Sequence, residues 1–294
     1  KALFDNKIIL FYTILFFSTI GVIYSLILPN IYQSKALLVP SNPSNESGII
    51  QNYGNLASLA GIDLPSETNQ NNYKQAIEKL TSLSFFENYI LPNIYLPDLM
   101  AFDSWDSKQN LLKYKTKIFE ISSNAWAKDP LSGEEIIPTA QESFDVFLIN
   151  HLSLDVDEDT GFVTVKIKHQ SPYIAQKWTK LLIDQINIFY RKKDKRKAER
   201  ASNYLKSLLV TNNLSEIKET TAMLLMQETQ KLTLIEANEF YVFEFIDPPA
   251  VMEKKSKPNR AFICILFAFL GGMIGSIYIF NMHFISHRSK RTML

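Results

Sequence analysis

The sequence predicts an α+β membrane protein: two transmembrane helices flank an external domain with a small mixed sheet near the membrane and a long, protruding α-helical excursion. Three observations predict it. Two uncharged apolar runs lie near the two ends of the 294 residues. A period-two pattern broken by a turn cluster lies in the middle. From Pro172 to Pro248 no proline intervenes, and no glycine falls between Gly161 and Gly271.

Residues 8–28 form the first run, 21 positions without a charge between Lys7 and Pro29. At about 1.5 Å per helical residue they cross a hydrocarbon core of about 30 Å. The stretch is too long for the apolar core of a cleaved signal peptide, and no A-x-A-like site follows Leu28, so it reads as a retained anchor. Residues 261–285 form the second run, opened by Arg260 and closed by His287-Arg288-Ser289-Lys290-Arg291. It contains Gly271, Gly272 and Gly275, and Gly271-x-x-x-Gly275 is a small-residue pattern that lets helices approach closely. The expected organisation is a tail at 1–7, a span at 8–28, an external domain at 29–260, a span at 261–285 and a tail at 286–294. Lys1, Lys7, Arg288, Lys290 and Arg291 favour cytoplasmic tails, against Lys254, Lys255, Lys257 and Arg260 at the other end of the second span.

Within the external domain, residues 31–39 (IYQSKALLV) read as a strand leaving the membrane. Residues 40–64 read as a loop, partly helical through NLASLAGI. Ala76, Ile77, Leu80, Leu83 and Phe86 share one helix face between Tyr73 and Tyr89. Residues 107–120 read as a short helix, 130–138 as a loop and 139–149 as a helix. HLSLDV and FVTVKIKH alternate around Asp157-Glu158-Asp159-Thr160-Gly161, which predicts a hairpin with strands at 152–157 and 162–169. Pro172 after Ser171 opens a long helix reaching about Val210. Asn213-x-x-Glu216 suggests a capped restart of a second helix to Ala237, and 240–246 (FYVFEFI) reads as the returning strand. Both terminal strands are tethered to the bilayer, so the sheet is expected near it and the long helix away from it.

Composition narrows the function. Lys and Arg number 31 against 30 Asp and Glu, a net charge of +1, which argues against a nucleic-acid binder. The single cysteine, Cys264, lies inside the second run. The external region therefore has no disulfide, cysteine metal cluster or thiol nucleophile. No G-x-x-x-x-G-K-[ST], G-x-S-x-G, H-E-x-x-H or G-x-G-x-x-G occurs, and neither a metal nor an organic cofactor is expected. His151 and His169 flank the hairpin and read as surface or strand-end residues. Asp155, Asp157, Glu158 and Asp159 read as a solvated turn, lacking the loop length and glycine of a calcium-binding hand. Trp105, Trp126 and Trp178 read as core or interface anchors rather than sugar platforms. Residues 191–200 carry seven positive and two negative charges on helical positions. Arg191, Lys192, Lys193, Lys195, Arg196 and Lys197 are candidates for contact with another subunit or a glycan, beside the plain alternative of a solvated face.

The stretch FEFIDPPAVMEKKSKPNRAFICILFAFLGGMIGSIYIF resembles the proline-rich segment and second span of Wzz-type chain-length determinants, the polysaccharide co-polymerases. Pro248, Pro249, Pro258, Arg260, Gly271, Gly272 and Gly275 stand at matching places, and one further proline of the family pattern is absent near Met252 and Glu253. The first span followed by Tyr32-x-Ser-x-Ala-Leu-Leu-Val-Pro40, the LASLAGI stretch at 56–62 and SPYIAQKWTKLLIDQIN at 171–187 are similar too. The resemblance implies a two-pass protein of the bacterial inner membrane whose large domain is periplasmic. It also implies a ring-like homo-oligomer, commonly an octamer, that works with a Wzy-type polymerase, a lipid-linked glycan and membrane lipids, but no nucleic acid. Its implied function is non-enzymatic regulation of O-antigen or enterobacterial-common-antigen chain length in lipopolysaccharide biosynthesis. The class is the one without a cytoplasmic kinase domain, since no phosphate-binding loop follows the second span. The competing readings are a membrane-anchored periplasmic component of capsule or exopolysaccharide export, a two-span sensor and a membrane-bound glycan enzyme.

Overall fold

The structure is a computed structural model that describes residues 7–41, 68–212, 214–238 and 240–291. The LASLAGI stretch and Asn213 lie outside the described residues. The chain divides into two compact units, Lys1–Tyr32 with Glu253–Leu294, and Gln33–Met252.

The first unit holds two long helices, α1 (Lys7–Ile27) and, at the far end of the sequence, a helix at Arg260–Arg291. Both contain stretches long and apolar enough to cross a membrane, Ile8–Ile27 and Arg260–Asn281. A core helix of a soluble protein would be mostly buried, whereas only 11% and 17% of these windows are. Phe11, Phe16, Ile23, Phe262, Ile265 and Phe269 are all largely exposed, an arrangement that suits lipid and not water. The chain is thus read as a two-span membrane protein.

The second unit, from Gln33, holds all but the first residue of β1 (Tyr32–Pro40) and then α2 (Thr68–Leu80). Thr81 and Ser82 break the helix expected through Tyr89, with the N–H groups of both turning back to Glu78 and Lys79 carbonyls. A short helical run, Leu83–Phe85, Phe86–Ile90 and Leu91–Asn93, follows, then α3 (Leu96–Met100).

The helix expected at 107–120 is instead two small hairpins. They are β2 (Phe102–Asp106) with β3 (Leu111–Tyr114), and β4 (Phe119–Glu120) with β5 (Ala125–Trp126). Turn chemistry overrides the apolar spacing here. Asp106 Oδ1 accepts the N–H of Lys108 at 2.9 Å, Asn110 takes φ +52°, and its Oδ1 receives the indole N–H of Trp105 at 2.9 Å.

Next come α4 (Ala140–Val146), opened by a Thr139/Glu142 capping box, a wider turn at Phe147–His151, β6 (Leu152–Val156) and β7 (Val163–His169). Asp157 Oδ1 closes the β6–β7 turn by accepting the N–H groups of Asp159 and Thr160, with Gly161 at φ +72°. The acidic cluster is therefore turn chemistry. Then follow α5 (Pro172–Thr211), α6 (Ser215–Ala237), β8 (Phe243–Asp247) and, in the first unit, α7 (Arg260–Arg291). Leu214 is the N-cap residue of α6 and gives it no side-chain cap.

The main sheet runs β6-β7-β1-β8, with β6–β7 and β1–β8 antiparallel. Val163, Val165 and Ile167 of β7, Ala36 and Leu38 of β1, and Phe243 of β8 are buried from the sheet. Ile174, Trp178, Leu182, Ile183 and Ile186 of α5 join them in one core with Phe85, Phe86, Ile90 and Phe147. Each such side chain removed from water contributes roughly 1.5–3 kcal/mol before entropy is counted.

Candidate functional site

Three groups of residues singled out in the sequence can be placed. The first is the glycine set of α7. A Cβ on Gly271 would stand 2.9 Å from the Phe17 Cβ, 2.9 Å from the Thr13 carbonyl oxygen and 3.0 Å from the Ile14 Cα. One on Gly275 would stand 2.2 Å from Thr13 Oγ1. Gly271 thus lets the backbones of α1 and α7 meet, and Gly275 makes room for the Thr13 and Leu10 side chains. Gly272 differs, since its nearest neighbour is the Ile14 side chain at 3.8 Å, an ordinary contact. The sequence reading missed a fourth glycine, Gly21 of α1, whose Cβ would lie 2.7 Å from that of Phe267. Its i+4 neighbour is the buried Ser25, so a small-residue spacing marks this helix too, though without a second glycine.

The proline segment divides between the units. In the second unit, the Pro249 carbonyl accepts from Gln176 Nε2 at 3.4 Å, and that of Ala250 from Ser34 Oγ at 3.0 Å. In the first, Ile31 N–H donates to the Lys257 carbonyl at 2.9 Å, and Ser256 N–H to that of Ile31 at 2.8 Å. Arg260 Nη2 and Lys255 Nζ both donate to Asn30 Oδ1 at 3.3 Å. The segment that leaves the first span is therefore clasped to the segment that enters the second, with Pro258 following the paired Lys257 and Pro248 directly after β8.

The third group is the basic run of α5, and the structure splits it in two. At about 100° per residue, Arg191, Asp194, Lys195 and Ala198 share one face. Arg191 Nη2 donates to the Asn238 carbonyl at 2.5 Å, Tyr241 OH donates to Asp194 Oδ2 at 2.7 Å, Lys195 pairs with Glu236, and Ala198 is buried. Burial, followed by the bond to Asp194, pushes the Tyr241 hydroxyl up from its ordinary value. Lys192, Lys193, Arg196, Lys197 and Arg200 occupy the opposite face with Phe189. Together with Tyr89 they line a groove of about 430 Å³. Lys193 Nζ lies 4.9 Å from the Tyr190 ring centre, and Lys79 Nζ lies 5.3 Å from that of Phe189. Arg200 belongs with the set, although the sequence reading left it out. Like charges three and four apart on a helix destabilise it by about 0.2–0.5 kcal/mol per pair, so the groove carries a standing electrostatic cost.

The two histidines of the domain lie at strand ends, as expected, His169 closing β7 and His151 preceding β6, but His169 is buried and His151 half-buried. His169 is 3% exposed and stacks near His151, with ring centres 5.6 Å apart, against Trp178. His169 Nδ1 accepts the N–H of Ser171 at 2.9 Å while Nε2 faces the Asp98 carbonyl at 3.2 Å, and His151 Nδ1 faces the Lys168 carbonyl at 2.7 Å. A neutral ring satisfies each arrangement. Desolvation, then repulsion from His151, lowers His169 to about 3. Desolvation lowers His151 also. Burial raises the nearby Asp98 carboxyl, against the hydrogen bond from Tyr114. Trp178 is core, whereas Trp105 and Trp126 are half-buried beside Tyr173 and Phe119.

An acid-stability prediction follows. The unfolded chain binds the His169 proton near pH 6.5, while the folded chain resists it to about 3. The histidine contribution is thus complete above about pH 6.5 and is lost as pH falls through that window, by at most about 1.4 kcal/mol per unit. Asp98 has the opposite sign: its contribution is present in acid and lost as pH rises through its raised value. Urea unfolding followed by circular dichroism between pH 7 and 4 should show a steep loss of stability. In His169→Phe the slope should flatten although stability at pH 7 falls. An unchanged slope would contradict the neutral assignment.

Two apolar spans and an intervening α+β domain define a class of membrane-anchored protein. Within that class, residues 1–91 match the family model of the chain length determinant proteins, Wzz. The resemblance read from the sequence is therefore present over the first span, β1 and α2. No curated protein matches the chain. Among solved structures, a full-length bacterial polysaccharide co-polymerase is similar at 12% identity, with 97% of this chain and 96% of that one covered and a TM-score of 0.45. A fragment of WzzB, a polysaccharide co-polymerase from Salmonella Typhimurium, is similar at 13% identity, with 78% and 100% covered and a TM-score of 0.35.

Proposed function

We propose that this protein regulates the chain length of a bacterial surface polysaccharide without making or breaking glycosidic bonds itself. The family match over residues 1–91 is the observation that carries this reading. The polymer is of the O-antigen or enterobacterial-common-antigen type, extended on a lipid carrier by a Wzy-type polymerase that performs the chemistry. In this reading the protein sits in the inner membrane with residues 29–260 in the periplasm and both tails in the cytoplasm. It acts as a ring-like homo-oligomer, an octamer by analogy with the family. The clasp of Asn30 and Ile31 on residues 255–260 supports a device that transmits geometry and not one that turns over substrate. His169 supports the same conclusion, both its ring nitrogens being held in internal bonds. Separating lipopolysaccharide by gel from cells with and without the gene tests the reading. A clustered ladder should spread into an unregulated one when the gene is lost. An identical ladder in both strains would overturn it.

A further inference from the structure

The groove on α5 gathers, among the described residues, five cations that the packing of the domain does not use. Among the described residues, Lys192, Lys193, Arg196, Lys197 and Arg200 have no carboxylate partner, and no acid lines the groove. The two acids of the basic run do not quench it: Asp194 is bonded by Tyr241 on the opposite face, and Glu199 lies outside the lining. A second depression nearby differs, since there Lys74 and Lys79 are balanced by Glu78 and Glu158. Two aromatic side chains accompany the cations, with Phe189 edge-on to Tyr89 at 5.3 Å between ring centres. Both rings also pack against Phe85 of the core, which holds their outer faces in place beside the cations. Cations beside partly exposed aromatic rings suit a ligand that carries acid groups on an apolar-faced ring, which is a charged sugar. Along the helix the cations extend over about 12 Å at 1.5 Å per residue, so they address a chain segment and not one small ion.

We propose that this groove binds an acidic saccharide segment, its carboxylates or phosphates held by Lys192, Lys193, Arg196, Lys197 and Arg200, and a sugar face resting on Phe189 and Tyr89. The proposal rests on the chain-length reading and adds the class of glycan: its repeat unit carries negative charge. Ion pairing of these residues with an acidic ridge on a second copy is the competing outcome.

Titration calorimetry of the full-length protein in detergent tests it, with oligogalacturonate, a phosphate-bearing mannan fragment and neutral dextran as probes. At least one acidic probe should bind, more weakly as salt rises, and the tighter of the two names the acid group. Dextran should not bind. Replacing Lys192, Lys193, Arg196 and Lys197 together by Gln should weaken the acidic probe about tenfold or more, a loss of about 1.4 kcal/mol or more, with the oligomer by native mass spectrometry unchanged. Lys195→Gln, on the opposite face, should bind as the parent does. Equal binding of dextran, no binding of either acidic probe, or full binding by the quadruple variant would each overturn the proposal. Dissociation of the oligomer in that variant would overturn it in favour of a contact between copies. Failure of any of these leaves the gene-dependent ladder to be judged separately, so the two readings fail independently.

Discussion

Leucine at both Gly271 and Gly275 separates α1 from α7. The added side chains begin where Thr13 Oγ1, the Thr13 carbonyl and the Ile14 Cα already stand, at 2.2 to 3.0 Å. Backbone cannot yield as a flexible side chain can, so the helices must move apart and lose the close packing that holds apolar helices together in lipid. Cysteines placed at positions 14 and 272, with Cys264 changed to Ala, report on this directly. Position 272 accepts a side chain, because it meets only Ile14 at 3.8 Å. Oxidative cross-linking should be efficient in the otherwise normal protein and fall to background in the double leucine variant. On the functional reading, the polysaccharide ladder should lose its mode in the same variant while protein levels hold. Undiminished cross-linking would mean that α1 and α7 do not meet at these glycines.

The second large effect is expected at Asn187. This side chain is buried on α5, accepts the N–H groups of Val242 and Phe243 at 2.8 and 3.0 Å, and donates to the Phe243 carbonyl at 2.9 Å. It therefore ties the long helix to the start of β8. Leucine is of similar size but leaves three backbone groups without their partner. Each buried orphan costs about 1–3 kcal/mol, so Asn187→Leu should destabilise the domain by about 3–5 kcal/mol, a large share of the roughly 5–15 kcal/mol of a typical fold. Urea unfolding of the full protein, followed by circular dichroism, checks it. Asn203→Leu, at an exposed position of the same helix, should change stability by no more than about 0.5 kcal/mol. Equal effects at the two positions would show that the Asn187 bonds contribute little.

Asn187 also marks where the sequence could and could not be read. The spans, the β6–β7 hairpin and the start of α5 rest on long or strictly periodic patterns with a Pro172 signal, and these survive in isolation from any tertiary context. The strand expected from Phe240 begins at Phe243 instead, after a bend at 241–242, and Asn187, more than fifty positions earlier, holds the N–H groups of Val242 and Phe243 at that point. Nothing local announces that. Residues 107–120 misled for a related reason. Strands of two to five residues are too short for period two to outweigh a helix-like scatter of Leu and Ile, and Asp106 and Asn110 decided the β2–β3 turn. Charge density revealed the basic run but not its division. Which cations are spent on Asn238 and Glu236, and which remain with Phe189 and Tyr89, depends on what packs against α5. The glycine pair was visible through its spacing, and Gly21-x-x-x-Ser25 carries the same small-residue spacing with a less conspicuous second member.

Regulation without catalysis is tested most directly by measuring two quantities in cells with and without the gene: the distribution of repeat units per chain and the total amount of polymerised sugar. A regulator leaves polymer synthesis to the polymerase, so losing it should abolish the preferred length while the total polymer stays close to that of the parent. Loss of polymer altogether, restored when the intact gene is returned, would contradict the account and assign bond formation to this protein.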